Sequence, residues 1–221
     1  MRLAAEEPEA GPWHVGPLND VVESLICPGP GSLPSGRPVV LAVDGRSNNG
    51  KTTLATRIAN VVPGSAVIHT DDIAWRHSRF GWADLLIEGV LRPAHRGDGV
   101  AYRPPRWIEH GREGQLTVPA GCPLLLVEGV GAGRAAAAPL IDSLVWVQSD
   151  AAIADRRGLE RVGRPGGPDT VQDLLDWMDE ERPFVADEQP WNRADIVVCG
   201  TPEIAYDPER EAVVAPPPRT T

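Results

Sequence analysis

Lysine is nearly missing from this chain: Lys51 is the only one in 221 residues, against twenty arginines. Phenylalanine and tyrosine are scarce as well, two of each, while tryptophan occurs seven times. No stretch approaches the roughly 18 consecutive apolar residues of a membrane span. The opening segment MRLAAEEPEAGP is acidic and lacks the apolar run of a signal peptide. Basic excess is missing too. A formal net charge of −10 argues against a protein that grips nucleic-acid backbone along a broad face, so no polymeric nucleic-acid partner is expected. The three cysteines, Cys27, Cys122 and Cys199, are far apart and form no CxxC pair. They fit a reducing compartment, without a disulfide framework or a zinc site. The expected setting is cytoplasmic.

What is present is an alternation. The continuous apolar run Val39–Val43 suits a strand buried on both faces. Similar runs follow at 66–69, 124–127, 144–148 and 196–199, and helical patterns stand at 18–26, 51–61, 150–161 and 170–187. Strands alternating with helices predict an α/β fold with a parallel sheet covered on both sides. Residues 1–37 read as an N-terminal extension ending in the linker CPGPGSLPSGRP, 38–206 as the main domain, and 207–221 as a disordered tail. Residues 1–12 are expected to fray. The segment 73–120 is rich in Trp, Arg, Gly and Pro with weak periodicity, and is expected to be an insertion of loops and short helices beside the functional face.

The surviving lysine lies in GRSNNGKT, Gly45–Thr52, which satisfies G-x-x-x-x-G-K-[ST] between a buried strand and a helix. Backbone N–H groups of such a loop enclose phosphate oxygens, and the helix N-terminus adds a favourable field. A lysine ammonium can follow a phosphate as it transfers, which the rigid arginine fork does poorly. That is a reason for this one lysine to persist. The candidate nucleotide contacts are Gly45, Arg46, Ser47, Asn48, Asn49, Gly50, Lys51, Thr52 and Thr53, with the Thr52 hydroxyl placed to hold Mg²⁺. Asn48-Asn49 departs from the small residues common there, but asparagine tolerates left-handed backbone angles. Guanine-reading N-K-x-D motifs need a second lysine, which the chain does not have.

Leu124–Val127 is followed by Glu128-Gly129, a single strand-end carboxylate suited to organising Mg²⁺. It lacks the acidic pair usual for activating water, which favours phosphoryl transfer over hydrolysis. His69-Thr70-Asp71-Asp72 closes the second strand at the edge where open α/β sheets gather ligands. A kinase acting on a hydroxyl needs a carboxylate to orient the nucleophile and take its proton. Asp71 is the first candidate, also as a metal contact, and Asp72 the second; helix capping is the alternative role. His69 is expected to be a packed strand-end residue. Four arginines lie in the nine positions 156–164, followed by Pro165-Gly166-Gly167-Pro168. They suit a lid over 156–168 that closes on the transferring phosphoryl group, or else a solvated helix face.

This order of features resembles the uridine kinase-like P-loop kinases: the GKT loop, a strand-end Asp, Glu-Gly after the third strand, an Arg-rich segment, a Trp-containing helix and Arg193–Val198. The resemblance spans about residues 38–200. It implies a P-loop NTPase three-layer sandwich with a five-stranded parallel sheet of order 2-3-1-4-5, and ATP and Mg²⁺ as cofactors. On the matching positions it implies Asp71 as the catalytic carboxylate and Arg157, Arg161 and Arg164 as lid arginines. Where those kinases follow the Asp with an aromatic pair, this chain has Ile73-Ala74-Trp75. Trp75, Trp82, Tyr102 and Trp107 are candidates to stack a flat ring, with Arg103 and Arg106 holding an anion, or else the core of the insertion. The expected activity is phosphoryl transfer to a hydroxyl of a small molecule, a nucleoside or nucleoside-like metabolite. Alternatives are a small-molecule kinase of specialised metabolism or antibiotic resistance, and a non-catalytic nucleotide-binding regulator.

Overall fold

The computed structural model describes residues 1–4, 6–27 and 36–218. Strand β1 (His14–Pro17) runs into helix α1 (Leu18–Ile26), whose buried Leu18, Val21, Val22 and Leu25 share one helical face. Strand β2 (Val39–Asp44) is buried at all six positions and delivers the chain to the GRSNNGKT loop and α2 (Lys51–Val61). Strand β3 (Ala66–His69) passes straight into the short α3 (Thr70–Ala74). Then α4 (Ala83–Leu86), a π-turn at Ile87–Leu91 and α5 (Arg92–His95) follow without a break. Strand β4 (Val100–Tyr102), α6 (Pro105–Glu109) and β5 (Leu116–Val118) complete the insertion. The chain continues through β6 (Leu124–Glu128), β7 (Ser143–Gln148), α7 (Ala151–Arg161), α8 (Val171–Glu188), β8 (Ile196–Cys199) and β9 (Glu211–Ala215).

One seven-stranded sheet has the order β1-β9-β8-β7-β2-β6-β3. Five of its strands are parallel, and read from the β3 edge as β3, β6, β2, β7 and β8 they stand second, third, first, fourth and fifth in chain order. Residues of β2 alternate between two cores. Val39, Leu41 and Val43 pack with α1 and α2, whereas Val40 and Ala42 pack with the insertion. A third cluster joins Trp146 and Val197 to Val185 of α8 and to Trp191. Helical elements therefore cover both faces of a central sheet, as a parallel sheet requires.

Four sequence expectations change here. The sheet has seven strands, because β1 and β9 pair antiparallel at one edge. Strand β9 comes from the region read as a disordered tail: Ala212, Val213, Val214 and Ala215 are buried, so their apolar run completes the sheet. The N-terminal residues do not fray, since Glu7 and Ala10 are buried and Glu7 accepts hydrogen bonds from Trp146 and Gln148. The insertion also has more regular structure than weak periodicity suggested, with β4 and β5 forming a separate two-stranded antiparallel sheet. Residues 28–35 of the expected linker lie outside the described residues.

Candidate active site

A cleft of about 890 Å³ opens at the carboxyl ends of the parallel strands, where open α/β sheets place their ligands. The loop 45–50 forms its floor. Gly45 has φ +155°, and a Cβ there would lie 2.6 Å from the Val147 carbonyl oxygen, so only glycine lets the loop pass this close to β7. Gly50 takes a left-handed cap, φ 93°, at the start of α2. Asn48 also lies in the left-handed region, φ 62°, as asparagine can.

Each of the four variable loop positions is tied to something outside the loop. Buried Arg46 places Nε 3.6 Å from Oε2 of Glu181. The Ser47 amide donates to Glu181 Oε1 at 2.6 Å, and Trp177 Nε1 donates to Ser47 Oγ at 2.7 Å. Arg157 and Arg161 donate to Asn48, at its carbonyl oxygen and its Oδ1. Asn49 Nδ2 donates to Val147 O at 2.8 Å. At the loop's start, buried Asp44 accepts from the amides of Gly45, Gly131 and Gly133 at 2.7, 2.9 and 2.9 Å. Burial pushes its carboxyl upward against those three hydrogen bonds and the charge of Lys51.

The chemistry-bearing residues converge. Lys51 is buried and turns its Nζ back to Arg46 O at 2.9 Å. Thr52 Oγ1 lies 3.2 and 3.3 Å from the two carboxylate oxygens of Glu128. His69 Nδ1 is 2.5 Å from Glu128 Oε1. This corrects the expectation of a merely packed His69: its ring is part-exposed and engages the carboxylate of the adjacent strand, and that hydrogen bond raises its pKa against the opposing effect of burial. Asp71 opens to solvent on the cleft side. The surrounding protein still pushes its carboxyl upward; Lys51 opposes this and the charge of Glu128 adds to it. Arg157, Arg161 and Arg164 line the cleft together with Gly166, Gly167 and Pro168.

The acceptor-side residues chosen from the sequence do not come to this cleft. Asp72 is ion-paired to Arg112 at 2.5 Å, and the Arg112 guanidinium stacks 3.6 Å from the Trp107 ring centroid and 5.2 Å from that of Trp75. Trp107 and Trp82, 4% and 1% exposed, belong to the core of the insertion. The Tyr102 ring lies on the bare face of Gly89 and lines a separate, shallower groove. Arg103 donates to Arg112 O, and Arg106 pairs with Glu109 on the exposed side of α6. The insertion consumes these side chains to hold itself together.

Other residues, not chosen from the sequence, line the cleft: Arg79, Asp173, Trp177 and Tyr206. Glu181 supports it from beneath. Its signal was readable in retrospect, because Leu174, Met178, Glu181 and Val185 form the buried stripe of α8, and a carboxylate on an apolar stripe needs a partner.

Thr52 and Glu128 present hard oxygen donors to one another, which suits Mg²⁺. No group of three or more His, Cys, Asp or Glu side chains able to hold a metal occurs among the described residues.

No family model matches the chain, and no curated protein is similar to it. Among solved structures, a possible uridine kinase from Bacillus stearothermophilus superposes with a TM-score of 0.54 at 19% identity, over 81% of this chain and 96% of that one. The chain shares the fold of that protein. A protein described as a fructose transport system kinase, from Silicibacter sp. TM1040, matches with a TM-score of 0.47 at 12% identity, over 80% of this chain and 91% of that one. Strand β2, with its following loop and helix, lies between β6 and β7 in the middle of the five parallel strands. No helix among the described residues is long and apolar enough to cross a membrane.

Proposed function

We propose that this protein is an ATP- and Mg²⁺-dependent kinase that transfers the γ-phosphoryl group to a hydroxyl of a small molecule, a nucleoside or nucleoside-like metabolite. The observation that carries this reading is the meeting of Lys51, Thr52, Glu128 and Asp71 on one cleft floored by the glycine-bounded loop. The likeness in fold to a possible uridine kinase agrees with it.

The loop amides and Lys51 hold the terminal phosphates of ATP. Asp71 orients the acceptor hydroxyl and takes its proton as the oxygen bonds to the γ-phosphorus; the bond from that phosphorus to the β,γ-bridging oxygen breaks, and ADP leaves. Its raised pKa makes it a better proton acceptor than an ordinary aspartate. Arg157, Arg161 and Arg164 supply charge at the lid side and help exclude water. Thr52 and Glu128 would hold Mg²⁺, which when bound neutralises phosphate charge.

A second reading within the same chemistry, a small-molecule kinase of specialised metabolism or resistance, is favoured by one observation. The insertion presents none of its chosen aromatic residues to the cleft, and the aromatic side chains that line it with Asp71 are Trp177 and Tyr206.

Calorimetry with ATP and MgCl₂, followed by ADP release over a panel of nucleosides, sugars, sugar alcohols and aminoglycosides, tests the proposal. Magnesium-dependent binding with turnover of a nucleoside supports the first reading, and turnover only of another alcohol supports the second. Tight binding without turnover of any acceptor, unaltered by Asp71→Asn, indicates a nucleotide-binding regulator. Failure to bind ATP removes both kinase readings.

A further inference from the structure

Asn48 is where the phosphate loop departs from small residues, and its side chain rests on helix α7. The Asn48 amide nitrogen lies 2.8 Å from where a Cβ of Gly158 would stand, so the loop meets the helix at the only glycine of α7. Leu174 of α8 closes on the same spot, 3.3 Å from that Cβ position. A glycine inside a helix weakens it relative to alanine. The close approach of Asn48 is what this one makes room for.

The contact is tied down on both sides. Arg161 donates from Nη1 to Asn48 Oδ1 at 3.0 Å and from Nη2 to Gly166 O. Arg157 donates to Asn48 O at 3.2 Å and to Gly200 O, just after β8, at 3.3 Å. The turn beyond α7 closes on itself: the Gly163 amide donates to Pro168 O at 2.8 Å and the Gly167 amide to Arg164 O at 2.9 Å. Asn48 is therefore joined to the turn 162–168 through one guanidinium. A guanidinium held at two nitrogens of its planar fork gives up rotamer freedom before any ligand arrives, and that cost is not met again on binding.

We propose that Asn48 is a positioning residue: its amide seats in the notch at Gly158, and through Arg161 it sets the arginine segment 156–168 over the cleft in advance of nucleotide. Arg157 and Arg161 then need little reorganisation when charge develops on the transferring phosphoryl group. The consequence for turnover rests on the kinase reading above; the seat itself does not.

The test uses the full chain and three substitutions. Asn48→Gly removes the amide and keeps the backbone, since glycine takes φ 62° freely. Asn48→Asp tolerates the same angle and keeps an acceptor oxygen for Arg161. Gly158→Ala leaves the loop's sequence intact and fills the notch. Hydrogen exchange followed by mass spectrometry, without nucleotide, should quicken about fivefold across 157–168 in Asn48→Gly, the scale of one lost hydrogen bond, while α1 and β9 stay unchanged. Asn48→Asp should exchange as the native chain does. Gly158→Ala should quicken the same residues, and in an Asn48→Gly background it should bring no further quickening, because the amide it displaces is already gone. With the best acceptor, Gly158→Ala should lower turnover about tenfold, as misplacing a group that acts on the reacting centre does, while calorimetry shows the affinity for ATP with MgCl₂ retained. Unchanged exchange in Asn48→Gly, equal quickening in Asn48→Asp, or an equal effect of Gly158→Ala in both backgrounds overturns the seat. Weaker ATP binding with unaltered turnover in Gly158→Ala overturns the positioning role. If the unsubstituted chain turns over no acceptor, the consequence for turnover fails with the kinase reading, and the exchange comparison still decides the seat.

Discussion

Around residues 45–50 the cleft is built from backbone: amides, carbonyls and glycine-only angles, with the four side chains between the two glycines fastened outward to α8, α7 or β7. Around 73–120 the opposite holds. There the aromatic and basic side chains pack against one another, Arg112 lying on Trp107 and reaching Asp72, and Tyr102 covering Gly89. A backbone-built site is specified by a short stretch of sequence, because its donors come with the chain. A wall built from side chains depends on which rings remain free once the local core has formed, and here that core takes Trp82 and Trp107 outright.

If the division is right, substitutions at the two ends should separate cleanly. The largest effect is expected at Asp71, where Asp71→Asn should lower turnover by about 10²–10⁴ with ATP affinity retained. Asp72→Asn should leave turnover nearly intact, because Asp72 serves Arg112. Steady-state kinetics with the best acceptor of the panel decides this, and equal losses at both positions would erase the distinction. Lys51→Ala should cost on the order of 10²–10³ in turnover and little in thermal midpoint, since its ammonium meets only the loop's own carbonyl. A large drop in melting temperature would mean that the lysine is structural.

Trp107→Ala should behave in reverse. Losing a ring from the insertion core is expected to cost about 3–5 kcal/mol in denaturant unfolding, while the folded protein keeps its nucleotide affinity. Weakened ATP binding in fully folded Trp107→Ala would show that the insertion core reaches the phosphate site.

The His69 and Glu128 pair gives a smaller, pH-dependent effect. The His69 pKa is raised in the folded state by its hydrogen bond to Glu128, so the pair's stabilisation is fully present below the unfolded value near 6.5 and fades as pH rises through the folded value. The gap in unfolding midpoint between the native chain and His69→Gln should therefore shrink with rising pH. A gap independent of pH would show that the imidazole is held neutral. The smallest effect is expected for Arg106→Ala, within about 0.5 kcal/mol in stability and silent in turnover, because Arg106 only pairs with exposed Glu109.

Much of the core architecture was legible in the residues. The buried runs at 39–43, 66–69, 124–127, 144–148 and 196–199 all lie in the parallel strands, because a strand covered on both faces must be apolar at successive positions. Strand β9 and the docked N-terminal segment were not legible, since their short apolar or acidic stretches acquire meaning only beside the sheet edge or the side chains of β7.

The chain by itself determined the phosphate-facing end. GRSNNGKT after a buried strand and before a helix, with one lysine available to serve it, leaves little freedom in how that loop is built, because the interactions are local and largely made by backbone. Only the tertiary structure decided what lies opposite. Whether Trp107 faces the cleft or the core, whether His69 meets Glu128, and whether Glu7 meets Trp146 and Gln148 depend on contacts across tens of residues, and such contacts follow from how volume and charge are satisfied in the assembled fold.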